Sequence, residues 1–268
     1  MTNSRMYSWF PGAEPRTSAK LRLFCFPYAG AGASVFRQWR SHLPHDIDVI
    51  PVQLPGRESR ALEAPIESLN TVVQTIAREI TPLLQLPFAF FGHSMGALIA
   101  FETARRLRYT HHVSPVHLIV SGKSAPQLPS TRPHLHNLPE EQFIEEIRNM
   151  QGTPEEILQN RELMQLLLPR LRADFSVCDT YAFAPGETLP CPITVLGGTE
   201  DSGVSPESLQ GWKEHTKEAF QVRMFRGNHF FLNDQVPAVT EAVLDAIRTQ
   251  TGRQPAVAAA SAAARELV

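Results

Sequence analysis

Concentrated charge is missing from this 268-residue chain: 25 Lys and Arg stand against 27 Asp and Glu, a formal net charge of −2, and no basic cluster interrupts the balance. Without a basic field nothing attracts a phosphate backbone, so no nucleic-acid partner is expected. Long apolar runs are missing too. No stretch approaches the roughly 18 apolar residues that a membrane span requires, and the leading MTNSRMYSWFPGAEPRTSAK lacks the uninterrupted apolar core of a secretory signal. Cysteine is scarce: Cys25, Cys178 and Cys191 are odd in number and widely spaced, with Cys25 inside an apolar run, a pattern of reduced structural thiols rather than a disulfide framework. These absences predict a soluble, cytoplasmic protein with no membrane attachment. His134 and His136 sit in a Pro-flanked loop with no further ligand at a metal-binding spacing, so no metal is assigned. A dinucleotide loop is lacking as well. Gly30-Ala31-Gly32 has Val35 where the third glycine of G-x-G-x-x-G belongs, and no acidic residue ends the second predicted strand; no cofactor is expected.

What the chain does have is an alternation of short apolar runs with helical patterns. The runs at 21–26, 48–54, 88–92, 116–121, 192–196 and 221–225 predict strands, the second carrying Pro51 and therefore suited to an edge or an irregular position. Helices are predicted over 34–43 with Ser34 as N-cap, over 68–85, from Ala97 onward, from Pro206, and over 236–248. This order implies one α/β domain over residues 20–250, a mostly parallel central sheet flanked by helices on both faces. Residues 1–19 are read as a loosely held lead-in with Trp9 and Phe10 as possible anchors, and 251–268 as an Ala-rich tail or frayed helix. Between the fourth and fifth strands, about 125–190 carries helical patterns at 139–150, 154–159 and 161–181 and no strand. Long insertions between core strands usually carry function, so this one is read as a lid.

The stretch FAFFGHSMGALIAF (88–101) is strand, tight turn and helix, with Gly92-His93-Ser94-Met95-Gly96 at the junction. G-x-S-x-G in that context is a nucleophile elbow, which makes Ser94 the candidate nucleophile. With only three fixed positions in five, the pattern by itself can recur by chance; its flanking strand and helix give it weight. A serine hydroxyl needs a base and an orienting acid. Of ten histidines, His229 follows the last predicted strand and precedes the last helix, where Gly227 permits a turn toward the elbow. The order nucleophile, acid, histidine that accompanies an elbow directs the search for the acid between them. Asp201 is the choice, just after the fifth strand, with Glu200 as its neighbouring alternative and Asp174, Asp179 and Asp234 poorer. A post-strand Asp is by itself more often a turn or cap residue; order and placement reverse that judgement. The developing oxyanion requires fixed donors: the amide of Met95, and a second from the loop after the first strand, where Ala29 is preferred and Gly30 comes next. His93 is read as a packing residue. Pro55-Gly56-Arg57-Glu58 is read as a structural turn, with Arg57 as a possible partner of an anionic group.

LRLFCFPYAGAGAS (21–34), VIPVQLPGRESR (49–60), FFGHSMGALIAFE (90–102), GGTEDSGV (197–204) and FRGNHFFL (225–232) together resemble the type II thioesterases, stand-alone α/β-hydrolases that accompany polyketide synthases and nonribosomal peptide synthetases. The resemblance spans about residues 7–249. G-x-S-x-G is common to all α/β-hydrolases, whereas F-P-Y-A-G-x-G-A-S followed by Q-L-P-G-R-E points to this family. It implies an α/β-hydrolase fold with a helical lid insertion and a triad of Ser94, Asp201 and His229. It also implies a phosphopantetheine-borne acyl substrate on an acyl or peptidyl carrier protein, cleared when stalled or aberrant. The residues alone imply acyl transfer. A carboxylesterase or lipase acting on oxygen esters, and a catalytically silent carrier-binding module, stand as the rival readings.

Overall fold

The computed structural model describes residues 2–13, 17–129 and 134–251. In chain order its elements are α1 (Thr2–Trp9), β1 (Leu21–Phe26), a 3-10 turn (Ala33–Phe36), α2 (Trp39–His42), β2 (Ile47–Pro51), α3 (Leu69–Ile80), β3 (Phe88–His93) and α4 (Met95–His111). There follow β4 (His117–Ser121), α5 (Glu140–Asn149), α6 (Glu155–Leu158), α7 (Arg161–Asp179), β5 (Ile193–Gly198), α8 (Pro206–Gln210), β6 (Phe220–Phe225), α9 (Phe231–Asp234) and α10 (Val236–Thr251). The expected Ala-rich tail lies, beyond Thr251, outside the described residues.

The strands form one sheet in the order β2-β1-β3-β4-β5-β6, and every neighbouring pair is parallel. Parallel strands need covered faces, which is why β1, β3 and β4 are buried along their whole length. Alternation sorts their side chains. Phe24, Phe26 and Phe90 point into a core shared with α1, α3 and α4, while Leu23, Cys25, Phe91 and Ile119 point into a second core under α2, α9 and α10. The stripe Leu69, Val72, Val73, Ile76 and Ile80 docks α3 on the first core. A third, smaller cluster binds α5, α6 and α7 to one another through Phe143, Ile147, Leu158, Met164 and Leu168. The inserted segment therefore carries its own apolar core. No helix among the described residues is long and apolar enough to cross a membrane.

Two local expectations change. The helix predicted over 34–43 is broken into the 3-10 turn and α2, and its first amides are taken by distant side chains rather than by a Ser34 cap. Gln53 Oε1 accepts the Ala33 N–H at 2.8 Å, and the Glu58 carboxylate accepts both the Ser34 amide and its hydroxyl, the latter at 2.5 Å. Ser34 thus serves Glu58, and Gly32 occupies the N-cap position. The leading segment is helical from Thr2 to Trp9 and firmly attached: Trp9 and Phe10 are buried, Phe10 packs edge-on against Phe24, and the Arg60 guanidinium lies 4.2 Å from the Trp9 ring centroid. Burial of those two rings contributes about 1.5–3 kcal/mol each. β2 is an edge strand, one of the two positions that Pro51 allowed; after it Val52 still donates to Cys25 O, and Gln53 turns away to donate to Trp9 O. Arg40 donates to Val49 O on the outer side of the same strand.

His117 on β4 is buried, its Nε2 paired with Thr194 Oγ1 of β5 at 2.9 Å, and burial lowers its pKa to about 4. The native chain holds it neutral while the unfolded chain titrates near 6.5, so its contribution is whole above about pH 6.5 and is lost as pH falls toward 4. Replacing His117 with Gln should flatten the pH dependence of unfolding free energy between about pH 6 and 5 by roughly 1 kcal/mol per pH unit, measured by urea denaturation across that range; an unchanged slope would contradict the assignment.

Candidate active site

Because the strands are parallel, their carboxyl ends gather at one edge of the sheet, where ligands of such folds bind. The register puts Phe26 of β1 beside Gly92 of β3 and His93 beside Ser121 of β4. Ser94 occupies the turn between β3 and α4 with φ 54° and ψ −115°, a conformation that costs a non-glycine residue about 1–3 kcal/mol. Its amide donates to Ser121 O at 2.8 Å, which helps to hold it there. The flanking glycines are demanded by space. A Cβ on Gly92 would lie 2.2 Å from Gly96 O, and one on Gly96 would lie 2.1 Å from Phe26 O and 2.7 Å from Pro27 O. The first turn of α4, with the Met95 amide, is thereby pressed against the loop that follows β1.

His229 and Asp201 lie in the loops after β6 and β5. Their ring and carboxylate meet at 2.5 Å between Nδ1 and Oδ2, with the Asp201 side chain 2% exposed and that of His229 16%. The other Asp201 oxygen accepts the Gly203 amide, fixing the carboxylate. The two loops interlock: Glu200 N–H donates to Gly227 O, and a Cβ on Gly198 would strike the carbonyls of Gly227 and Asn228. Glu200 itself points outward, more than half exposed, 4.0 Å from Arg226. The other acids considered are committed elsewhere or exposed: Asp179 pairs with His136, Asp174 with Arg57, and Asp234 faces solvent. No hydrogen bond joins the Ser94 hydroxyl to His229; the adjacent His93 ring lies 5.1 Å from the His229 ring, centroid to centroid. Catalytic hydrogen bonds of this kind are often long before substrate binds. His93 is fully buried with Nδ1 on Ser121 Oγ, and burial, reinforced by the neighbouring His229 charge, pushes its pKa well below the usual value. It stays neutral and serves the packing.

The loop after β1 turns through Tyr28-Ala29-Gly30-Ala31, closed by the Ala31 amide on Tyr28 O at 3.1 Å with Gly30 at φ +80°. The Gly30 amide is already engaged, donating to Asp174 Oδ2 at 2.7 Å. Of the two amides considered there, only that of Ala29 makes no hydrogen bond among the described residues. This loop is also ill suited to a dinucleotide. The Glu58 carboxylate fills the space in front of Gly32, where its Oε1 would stand 2.4 Å from an added Cβ, and a pyrophosphate would meet that negative charge. Among the described residues no group of His, Cys, Asp or Glu could hold a metal ion. The inserted helices touch both sides of the site. Leu171 and Asp174 of α7 reach Gly30, and Gly152, in the turn between α5 and α6, packs against the Phe230 ring next to His229. Sequence reasoning did not join Arg57 to Asp174; the only signal was Arg57 within P-G-R-E, noted as a possible partner of an anion.

A family model described as a thioesterase domain matches residues 21–250. The chain is 51% identical over 245 residues to the gramicidin S biosynthesis protein GrsT of Aneurinibacillus migulanus, covering 91% of this chain and 96% of that one. It is 40% identical to a protein named linear gramicidin dehydrogenase LgrE of Brevibacillus parabrevis, covering 88% and 92%. Among solved structures, the type II thioesterase BorB from the borrelidin biosynthetic cluster superposes with a TM-score of 0.82 at 34% identity, over 90% of this chain and 98% of that one.

Gly96→Ala tests the approach of α4 to β1. Alanine favours a helix interior by about 1 kcal/mol over glycine, but the clash with two backbone carbonyls should win and destabilise the protein by about 3 kcal/mol. A melting temperature equal to that of the parent would contradict the packing described.

Proposed function

The chain belongs to the thioesterase family and is a thioester hydrolase; from that premise we propose an editing type II thioesterase that frees stalled or aberrant acyl groups from the phosphopantetheine arms of acyl or peptidyl carrier proteins. Ser94 Oγ attacks the thioester carbonyl and passes its proton to His229 Nε2. Asp201 holds the imidazole through Nδ1–H and stabilises the imidazolium. The Met95 and Ala29 amides receive the oxyanion, aided by the positive end of α4. Collapse breaks the C–S bond, and the pantetheine thiol leaves with the proton from His229. Water, deprotonated by His229, then attacks the acyl-serine; a second collapse returns the proton to Ser94 and releases the carboxylic acid.

The observation that carries this reading is the hydrogen bond between His229 and the buried Asp201, from loops that follow adjacent strands, at the sheet edge where the elbow presents Ser94. The carrier-borne substrate is supported by the pathways of the relatives, the gramicidin S protein and the borrelidin-cluster thioesterase. The segment 125–190 acts in this reading as a lid on the acyl site. A cytoplasmic location is part of the proposal and agrees with free thiols at Cys25, Cys178 and Cys191. A redox role, which the name of one relative invites, is disfavoured by the Glu58 carboxylate in the loop a dinucleotide would need.

Ser94→Ala should abolish hydrolysis of acyl-carrier thioesters with the fold intact by circular dichroism; near-normal turnover would remove the mechanism. Asp201→Asn should lower kcat on the order of 10⁴-fold by favouring the wrong imidazole tautomer, while Glu200→Gln should leave it near the parent value. Comparing acyl-carrier, acyl-CoA and alkyl-ester substrates of equal chain length separates this reading from an oxygen-ester hydrolase.

A further inference from the structure

Arg57 and Asp174 are 117 positions apart and almost wholly buried, with side chains 1% and 2% exposed. Their contact is a two-pronged one: Nη1 to Oδ2 and Nη2 to Oδ1, each 2.7 Å. Stability alone does not account for it, since buried ion pairs can often be replaced by apolar residues without loss. What such a fork supplies is orientation, and the remaining contacts of both residues show what is oriented. Asp174 Oδ2 also accepts the Gly30 amide at 2.7 Å, and Arg57 Nη1 also donates to Ala31 O at 3.0 Å. Arg57 Nε holds Pro55 O, and the Gln53 amide group holds Arg57 O while its oxygen takes the Ala33 amide. The pair therefore grips the Tyr28–Ala31 turn at its central peptide and at the peptide that follows the turn.

The closing hydrogen bond and the positive φ of Gly30 belong to a type II turn. Type I and type II turns differ by a flip of the central peptide, here the one joining Ala29 to Gly30. The direction of the Gly30 N–H selects between them, and Asp174 is what that N–H faces. We propose that Asp174 and Arg57 are positioning residues for thioester cleavage. They commit the Gly30 amide and tie the loop down at Gly30 N–H and Ala31 O, so that the preceding peptide, which carries the free Ala29 amide, keeps its place for the oxyanion. Asp174 lies on α7, so the same contact makes the oxyanion site depend on the inserted helix being seated. The inference rests on the reading of Ala29 and Met95 as oxyanion donors.

The test uses the full-length enzyme with Asp174→Asn, which keeps the shape but weakens the fork, and the paired substitution Arg57→Met with Asp174→Leu, which removes both charges of the fork together so that neither is left buried without the other. Two acyl-pantetheine analogues are needed: a trifluoromethyl ketone, which adds to Ser94 as a tetrahedral oxyanion, and an inert thioether, which mimics only the ground state. Loss of one oxyanion donor outright costs about 10²–10³ in kcat; a misdirected donor should cost about 10–100-fold, with KM within about twofold. Ketone affinity should fall by the same factor as kcat, and thioether affinity should hold. Folded variants with parental kcat would overturn the inference, as would a loss of kcat accompanied by an equal loss of thioether affinity, or one that leaves ketone affinity unchanged. If the parent enzyme formed no ketone adduct on Ser94, the failure would belong to the underlying mechanism instead.

Discussion

Helix α4 can start where it does only because nothing projects from Gly92 and Gly96. Their missing side chains let the first turn of the helix rest against the carbonyls of Phe26 and Pro27, closer than any Cβ would allow. Three things follow from that contact. The serine between them sits at φ 54° and ψ −115°; the helix N-terminus, the positive end of its dipole, faces the loop after β1; and the start of that loop, at Pro27, lies against the first turn of the helix. In the mechanism proposed above, the meeting of the two oxyanion donors is thus a by-product of close packing between one strand, one helix and one loop.

Much of this was legible in the chain because its cues are local. Strand runs and their order were readable from apolar stretches bounded by Gly and Pro, and the parallel sheet followed from their alternation with helices. Asp201 and His229 could be singled out because each immediately follows a strand, and the strand ends of a parallel sheet converge. Glu200 differs from Asp201 by one position, yet its amide is tied to Gly227 O and its side chain turned outward; that distinction depends on the neighbouring loop, which the sequence order alone does not display. The same limit explains residues 34–43. Their periodicity is helical, but the segment forms a 3-10 turn and a short helix, with Gln53 and Glu58, about twenty positions away, holding the amides of Ala33 and Ser34.

The least legible part is the polar layer beneath the site. Arg57, Asp174, Gln53 and Glu58 have no shared periodicity, and each in isolation reads as a turn residue or a solvated charge. Only folding reveals that they converge on the loop after β1. Burial of an arginine and an aspartate at this depth is expensive unless every donor and acceptor finds a partner, and here one carboxylate receives both prongs of the guanidinium and a backbone amide. Removing either partner would leave the other charge buried and uncompensated, so the layer ties the loop after β1 to one arrangement.

The edge strand β2 has a consequence of another sort. An open sheet has two rims, and a rim with free backbone donors and acceptors invites another chain to add a strand. Here Pro51 has no N–H to offer, the Ile47 amide is spent on Pro44 O, and the Arg40 guanidinium sits on the outward carbonyl of Val49. Helix α1 then draws the chain away from the rim through Trp9 O and Gln53. On that side the sheet offers a second copy few of the backbone partners that adding a strand would require.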